Sequence, residues 1–322
     1  MRAIIVHSPG GPEQLKLEEV PRPAIGPGQV LVKVAAIGVN FIDIYHRTGL
    51  YKSDWPASLG LEGAGTVESV GPDVTQWKAG DRVAWAMARG SYAEYVAAPA
   101  NQLIRMPDTL DFPSAAAAML QGMTAHYLTH STWPLKQGET ALIHAAAGGT
   151  GRLVVQMAKL RGARVLAVVS TDEKAKVARE AGADEVIVYT RQDFETEVKR
   201  LTDGKGVDVV YDSVGASTFQ KSLNVIRRRG MMVTFGNASG PVPPVEPLLL
   251  SQKGSLFLTR PTLFDYTATR EELEWRATDV LNWVAAGKLK LQIGATYPLA
   301  NAADAHRALE GRKTTGKLLL TP

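Results

Sequence analysis

Cysteine is absent from all 322 residues. Disulfides, thiolate nucleophiles, iron–sulfur clusters and cysteine-based zinc sites are excluded with it. Long apolar runs are missing as well. The longest candidate, residues 115–120, falls far short of the roughly 20 residues that a helical membrane span needs. Charge of one sign is scarce: 36 basic against 32 acidic side chains leave a formal net charge of +4. That excess suits an anionic small molecule better than a long nucleic acid. There is no internal repeat and no low-complexity segment. No cleavable apolar core follows the opening Met1-Arg2-Ala3-Ile4-Ile5-Val6, which reads as a first strand and not as a signal peptide. What is present is ordinary for a globular chain, 45 % apolar and 21 % charged, over a length expected to fill about two domains. A cytoplasmic protein with neither a membrane nor a nucleic-acid partner is the expectation.

The first hundred residues read as strands and turns. Over residues 29–37, Val30, Val32 and Val34 alternate with Leu31 and Lys33, the period of a half-buried strand. Gly26-Pro27-Gly28, Gly71-Pro72-Asp73 and Ala79-Gly80-Asp81 punctuate the segment densely, which predicts a partly closed β-barrel. A helix is predicted at 114–130, with Asp111-Phe112-Pro113-Ser114 as its start signal. The texture then changes. Apolar strands at 140–144, 164–169, 185–188, 207–211, 231–235 and 255–258 alternate with helices at 150–160, 172–181, 194–201 and 218–226. This α/β alternation predicts a doubly wound parallel sheet with helices on both faces. A helix at 270–286, a strand at 291–297, a helix at 302–310 and a strand at 317–320 complete the chain. The last strand is expected to return to the first domain. The predicted division is 1–123 with 265–322 for one domain and 124–264 for the other.

The sharpest local signal is Leu142-Ile143-His144-Ala145-Ala146-Ala147-Gly148-Gly149-Thr150-Gly151, where a buried strand turns through small residues into a helix. A pyrophosphate needs such residues, because it must approach backbone amides at a helix N-terminus whose dipole favours its charge. The pattern departs from a strict G-x-G-x-x-G, but it opens a six-strand βα series. Cofactor choice should be set at the end of the second strand, where an Asp or Glu holds the ribose hydroxyls of NAD. Here Ser170 stands in that place and Lys174 lies one helical turn on, which favours NADP(H). Asp172 argues the other way, although a carboxylate at a helix start also offsets the dipole.

Gly60-Leu61-Glu62-Gly63-Ala64-Gly65, with Gly71 and Val74, resembles the Gly-His-Glu signature of the medium-chain dehydrogenase/reductases. Leu61 replaces the zinc-ligating histidine. Gly38-Val39-Asn40-Phe41-Ile42-Asp43 resembles the segment that carries the first zinc cysteine in alcohol dehydrogenases, and Asn40 takes that cysteine's place. Leucine cannot bind a metal and an asparagine alone is a poor ligand for zinc, so no metal is expected. Stretches at 40–45, 144–149, 211–215, 235–240 and 259–261 are similar to the zinc-independent quinone oxidoreductases related to zeta-crystallin. The resemblance implies a GroES-like β-barrel followed by a Rossmann domain, with NADP(H) in the cleft between them. It also implies that Phe41, Ile42, Asp43, Tyr45 and Thr124, together with Asn40, lie near the nicotinamide and its ribose. Gly148, Gly149 and Thr150 would meet the pyrophosphate, and Ser170, Lys174 and Tyr189 the adenosine phosphate. Ser213, Val214, Phe235, Gly236, Asn237 and Ser239 would run along the cofactor, with Thr259, Arg260, Pro261 and Arg312 closing on it.

For chemistry, a quinone is already electron-poor and needs no metal to accept a hydride. Asn40 is expected to donate a hydrogen bond to the quinone oxygen, Arg260 to offset charge, and Tyr45 or Tyr51 to supply a proton. Each tyrosine reads equally well as a packing residue. The alternatives are a reductase of activated alkenes and a non-catalytic, crystallin-like NADPH-binding protein. A homodimer is implied by the resemblance. His126 and His130 read as structural, Glu62 as a buried or capping carboxylate, and Arg227-Arg228-Arg229 as a solvated helix end.

Overall fold

Val30, Val32 and Val34 face inward as the alternation predicts, and Lys33 is exposed. The strand that holds them, however, runs on to Val39 and is buried on both sides over its last four residues. Its neighbours explain why. In the computed structural model, which describes residues 1–311 and 314–322, β1 (Arg2–Val6) and β2 (Lys16–Glu19) pair antiparallel. Then β3 (Gln29–Val39) leads directly into α1 (Phe41–Arg47). After β4 (Ala57–Ser58), which pairs with β1, come β5 (Glu62–Val70), β6 (Arg82–Ala86), β7 (Tyr95–Pro99) and β8 (Ile104–Arg105). Both β5 and β7 pair antiparallel with β3. The helix α2 (Phe112–Tyr127) follows and ends three residues earlier than predicted, in a wider π turn over Leu128–Thr132. Thr129 Oγ1 donates to Ala125 O at 2.8 Å within that turn.

The alternating region forms β9 (Thr140–His144), α3 (Gly149–Leu160), β10 (Arg164–Val169), α4 (Asp172–Glu180), β11 (Glu185–Val188), α5 (Phe194–Leu201) and β12 (Val207–Asp212). It continues with α6 (Phe219–Leu223), β13 (Ile226–Thr234), α7 (Pro247–Gln252) and β14 (Phe257–Thr259). The six strands make one parallel sheet in the order β11-β10-β9-β12-β13-β14. Thus α6 is shorter than the helix predicted at 218–226, and the three arginines lie inside β13, not at a helix end. Arg227 Nε donates to Asp208 Oδ1 at 2.6 Å, which ties the start of β13 to β12 in an extended conformation.

The chain then returns through α8 (Arg270–Ala285), β15 (Ile293–Pro298), α9 (Ala302–Glu310) and β16 (Lys317–Thr321). As expected, β16 joins the first sheet, pairing parallel with β15 and antiparallel with β3, Leu319 opposite Gly38. This late strand covers the part of β3 that alternation alone leaves exposed. The chain divides into one unit of Met1–Met123 with Thr267–Pro322 and a second of Thr124–Tyr266. Each has its own apolar core. Ile37, Trp85, Tyr92, Leu318 and Leu320 belong to the first, and Leu142, Leu166, Val210 and Met232 to the second. Among the described residues no helix is long and apolar enough to cross a membrane.

Candidate functional site

In the first unit the decisive place is the turn from β3 into α1. Asn40 caps the helix, and Asp43 reaches back so that its Oδ2 accepts the Asn40 backbone N–H at 2.8 Å. The Asn40 side chain points inward. Its Nδ2 donates to Glu62 Oε2 at 2.8 Å and to Gly38 O at 3.4 Å, and its Oδ1 accepts from Lys317 Nζ at 2.7 Å. Lys317 also pairs with Glu62, and both side chains are almost wholly buried. Glu62 Oε1 takes the Leu120 backbone N–H at 2.5 Å. The Asn40 amide hydrogens are thus turned toward Glu62 and Gly38, and the side chain anchors the start of α1. Gly38 is required beside it, because a Cβ there would lie 2.0 Å from Glu62 Oε2.

A second buried chain starts from the same helix. Tyr92 Oη donates to Asp43 Oδ2 at 3.0 Å and meets His306 Nε2 at 3.0 Å. Arg47 Nη1 lies 3.1 Å from His306 Nδ1, and Arg47 grips Glu310 at two points. An arginine can only donate, so His306 Nδ1 is the acceptor and Nε2 carries the proton. The Asp43 carboxylate thus turns into the core. Burial raises its pKa to about 7, against the Asn40 and Tyr92 hydrogen bonds and the Lys317 charge. Burial lowers that of His306 to about 3, helped by the Arg47 charge.

The two shifts act on stability in opposite directions. A carboxyl with a raised folded pKa stabilises fully below its unfolded value, and the contribution is lost as pH rises through about 7. A histidine with a depressed folded pKa stabilises fully above 6.5, and the contribution is lost as pH falls toward about 3. Each span is on the order of 4 kcal/mol at full extent. The stability advantage of the wild type over Asp43→Asn is therefore expected to shrink as pH rises. Its advantage over His306→Gln is expected to shrink as pH falls below 6.5. Urea midpoints measured across the pH range check both.

On its outer side α1 carries an aromatic face. Phe41 and Tyr45 are half-buried with ring centroids 6.3 Å apart, and Tyr51 meets Tyr45 edge-on at 5.2 Å. The Tyr51 backbone N–H donates to Tyr45 O at 3.0 Å, so the loop after the helix is tied to it. Ile42 is half-buried on the same helix.

In the second unit the expected cofactor residues gather at the carboxyl ends of the parallel strands, the edge where open α/β sheets bind ligands. Gly149 and Thr150 open α3, and Gly148 caps it without a side-chain hydrogen bond. A Cβ on Gly151 would lie 2.3 Å from Ala145 O, and only glycine allows the turn to close this tightly. This cradle fits a pyrophosphate. Ser170 follows β10, Lys174 lies in the first turns of α4, and Tyr189, 52 % exposed, follows β11. The loops after β12 and β13 are tied together. Ser239 N donates to Val214 O at 2.7 Å and Ala238 N to Ser213 O at 3.3 Å. Phe235 N donates to Asp212 O at 2.8 Å, which brings Phe235, Gly236 and Asn237 beside Ser213. The Ser239 hydroxyl is spent inside this pair, donating to Val214 O and accepting from Ser217 N. Asp212 Oδ1 accepts from Val214 N and Gly215 N and shapes the first loop. After β14, Arg260 Nη1 donates to Pro261 O at 3.1 Å, next to Thr259. Thr124 sits buried on α2. Arg312 lies outside the described residues.

Residues 26–108 match the model of the alcohol dehydrogenase GroES-like domain, and 149–284 that of the zinc-binding dehydrogenase. Over 97 % of each chain, the sequence is 47 % identical to the quinone oxidoreductase of Pseudomonas aeruginosa. The chain belongs to the quinone oxidoreductase family. Its fold superposes on the crystal structure of Escherichia coli quinone oxidoreductase complexed with NADPH with a TM-score of 0.98, at 43 % identity and over 100 % of both chains. A 2-haloacrylate reductase from Burkholderia is 44 % identical over 99 % of this chain and 98 % of its own. Within this chain, sequence reasoning missed Lys317, Arg47, Tyr92 and His306. Their partners lie up to 263 positions away, and no local motif reports such pairs. The one available signal was the lysine opening the apolar strand Lys317-Leu318-Leu319-Leu320.

Proposed function

We propose that this chain oxidises NADPH and reduces quinones. The observation that carries the proposal is the substitution at the two zinc-ligand positions of the superfamily. Leu61 cannot coordinate a metal, and the polar atoms of Asn40 are held by Glu62 and Lys317. With no ligand set to hold a Lewis acid there, the acceptor must already be electron-poor, as a quinone is. When bound, the nicotinamide supplies the hydride. The open amides at the start of α3 hold the pyrophosphate, Ser170, Lys174 and Tyr189 receive the adenosine phosphate, and the joined loops after β12 and β13 line the cofactor. Phe41, Tyr45 and Tyr51 offer a flat acceptor aromatic faces to pack on, and the tyrosine hydroxyls offer it a proton. The protein acts in the cytoplasm, where its reduced cofactor is regenerated.

A second reading, reduction of activated alkenes, is favoured by the similarity to the 2-haloacrylate reductase. Following nicotinamide absorbance with 1,4-benzoquinone, 9,10-phenanthrenequinone and 2-cyclohexenone in parallel separates the two. Saturable turnover of the quinones is expected. Turnover of the enone alone would move the protein to the alkene reductases, and NADPH binding without turnover to a binding role.

The functional unit is a homodimer formed along β14. That strand is the outermost of its sheet, and Phe257 on it and Leu248 on α7 are both more than half exposed. An open apolar strand edge is a template for pairing with a second copy. Light scattering at twice the 34.6 kDa chain mass is the expected result.

A further inference from the structure

Three contacts continue the β10–β11 pairing past the ends of both strands. Tyr189 N donates to Val169 O at 3.0 Å, and Thr190 Oγ1 donates to Ser170 O at 2.9 Å. Beyond them Arg191 grips Asp172 with both ends of its guanidinium, Nη1 to Oδ2 at 2.9 Å and Nη2 to Oδ1 at 2.5 Å. Asp172 is the one residue of this segment that argues for the unphosphorylated cofactor. Near the end of the second strand, a free carboxylate accepts hydrogen bonds from the ribose hydroxyls and repels a phosphate. The planar two-point pair is the geometry in which a guanidinium ties up a carboxylate most completely. Glu173, next in the chain, is held by its own backbone amide and the Thr171 hydroxyl, which lower its pKa. Glu173 therefore stays ionised. With Arg191 in place, the charges of Asp172, Glu173, Lys174 and Arg191 balance. Without it they leave a net negative charge where a phosphate dianion has to sit.

We propose that Arg191 determines the preference for the 2′-phosphorylated nicotinamide cofactor, by withdrawing and neutralising Asp172 beside Lys174. The proposal rests on the placement of the adenosine phosphate at Ser170, Lys174 and Tyr189 given above. Both members of the pair are more than 60 % exposed, and so open an ion pair adds little to folding stability. A change in cofactor preference on its removal would therefore not be a by-product of unfolding.

The test compares Arg191→Ala, Asp172→Asn, the double variant and Lys174→Ala. Each is read by kcat/KM for NADPH and for NADH with 1,4-benzoquinone. Independently of turnover, the Kd of each cofactor is read by quenching of tryptophan fluorescence. Arg191→Ala is expected to lower the NADPH-to-NADH ratio about tenfold or more, mainly through KM and Kd for NADPH. For NADH, kcat/KM should rise and Kd should fall, because the freed carboxylate accepts from the ribose. Adding Asp172→Asn should restore most of the ratio, as only removal of the charge that Arg191 neutralises can do. If Arg191→Ala leaves the ratio and both Kd values within twofold while Lys174→Ala lowers the ratio and raises the Kd for NADPH, the proposal is overturned and the phosphate placement stands. If neither variant moves them, the placement fails and the proposal with it.

Discussion

Replacing Lys317 by methionine is expected to destabilise the protein by about 3–5 kcal/mol, the usual result of leaving one member of a buried ion pair without its partner. The reason lies in how completely Glu62 is enclosed. It is 0 % exposed, and among the described residues Lys317 is the only cation in contact with it; the Asn40 amide and the Leu120 N–H complete its hydrogen bonds. An isolated carboxylate in that setting has neither water nor counter-charge. The control is the Glu62→Gln/Lys317→Met double variant. It removes both charges and keeps an acceptor for Leu120, and it should recover to within about 1–2 kcal/mol of the wild type. Urea unfolding of these two variants, the Glu62→Gln single variant and the wild type gives the coupling directly. Quinone turnover should fall further than stability in Lys317→Met, since Asn40 loses the contact at its Oδ1 that fixes the start of α1.

The second large effect is expected at Gly151. Its Cβ in an alanine variant would stand 2.3 Å from Ala145 O, 2.9 Å from Ala145 C and 2.9 Å from Ala146 Cα. All three are backbone atoms, so no side chain can rotate away. Ala145 already sits at φ +51°, in the left-handed region that disfavours a side chain, and has little freedom to yield. The turn must open, and the amides of Gly149 and Thr150 then no longer converge. NADPH affinity of Gly151→Ala is expected to drop by about a hundredfold or more, equivalent to about 2.7 kcal/mol. The cost in folding from the displaced turn is about 1–3 kcal/mol. Fluorescence titration with NADPH beside an unfolding curve separates the two contributions.

The parallel sheet was legible because its strands are short, apolar and separated by helices with their own start signals. Residues 140–144, 164–169 and 185–188 need nothing from elsewhere in the chain to be read. Residues 224–230 differ from their sequence reading for a local reason. Val225 and Ile226 continue an apolar pattern that suits a helix, but Arg227 is claimed by Asp208, which holds the segment extended. At the site, the glycine turn announces itself through sequence spacing, whereas the fate of Asn40 does not. Its donors and acceptors are taken by Glu62 and by Lys317, 277 positions away. A residue's type shows which hydrogen bonds it can make, and only tertiary pairing decides which groups receive them. The meaning of Asp172 likewise turns on an arginine 19 positions later, in the loop after β11.

The return of β16 to the first sheet also sets an order of events during synthesis. Residues 124–266 leave the ribosome as one continuous stretch and contain their whole sheet. Their sheet needs no strand from outside that stretch. In the first unit, by contrast, the contacts of Glu62 and Asn40 stay incomplete until Lys317 is made. At roughly 5–20 residues per second, the interval between completing the first segment and making that lysine is roughly 10–40 s. Throughout it the nascent chain carries a finished parallel sheet beside a barrel whose central strand still lacks a neighbour and whose buried acid still lacks its base. Completion of the aromatic face on α1 is therefore coupled to β16, a strand translated long after it.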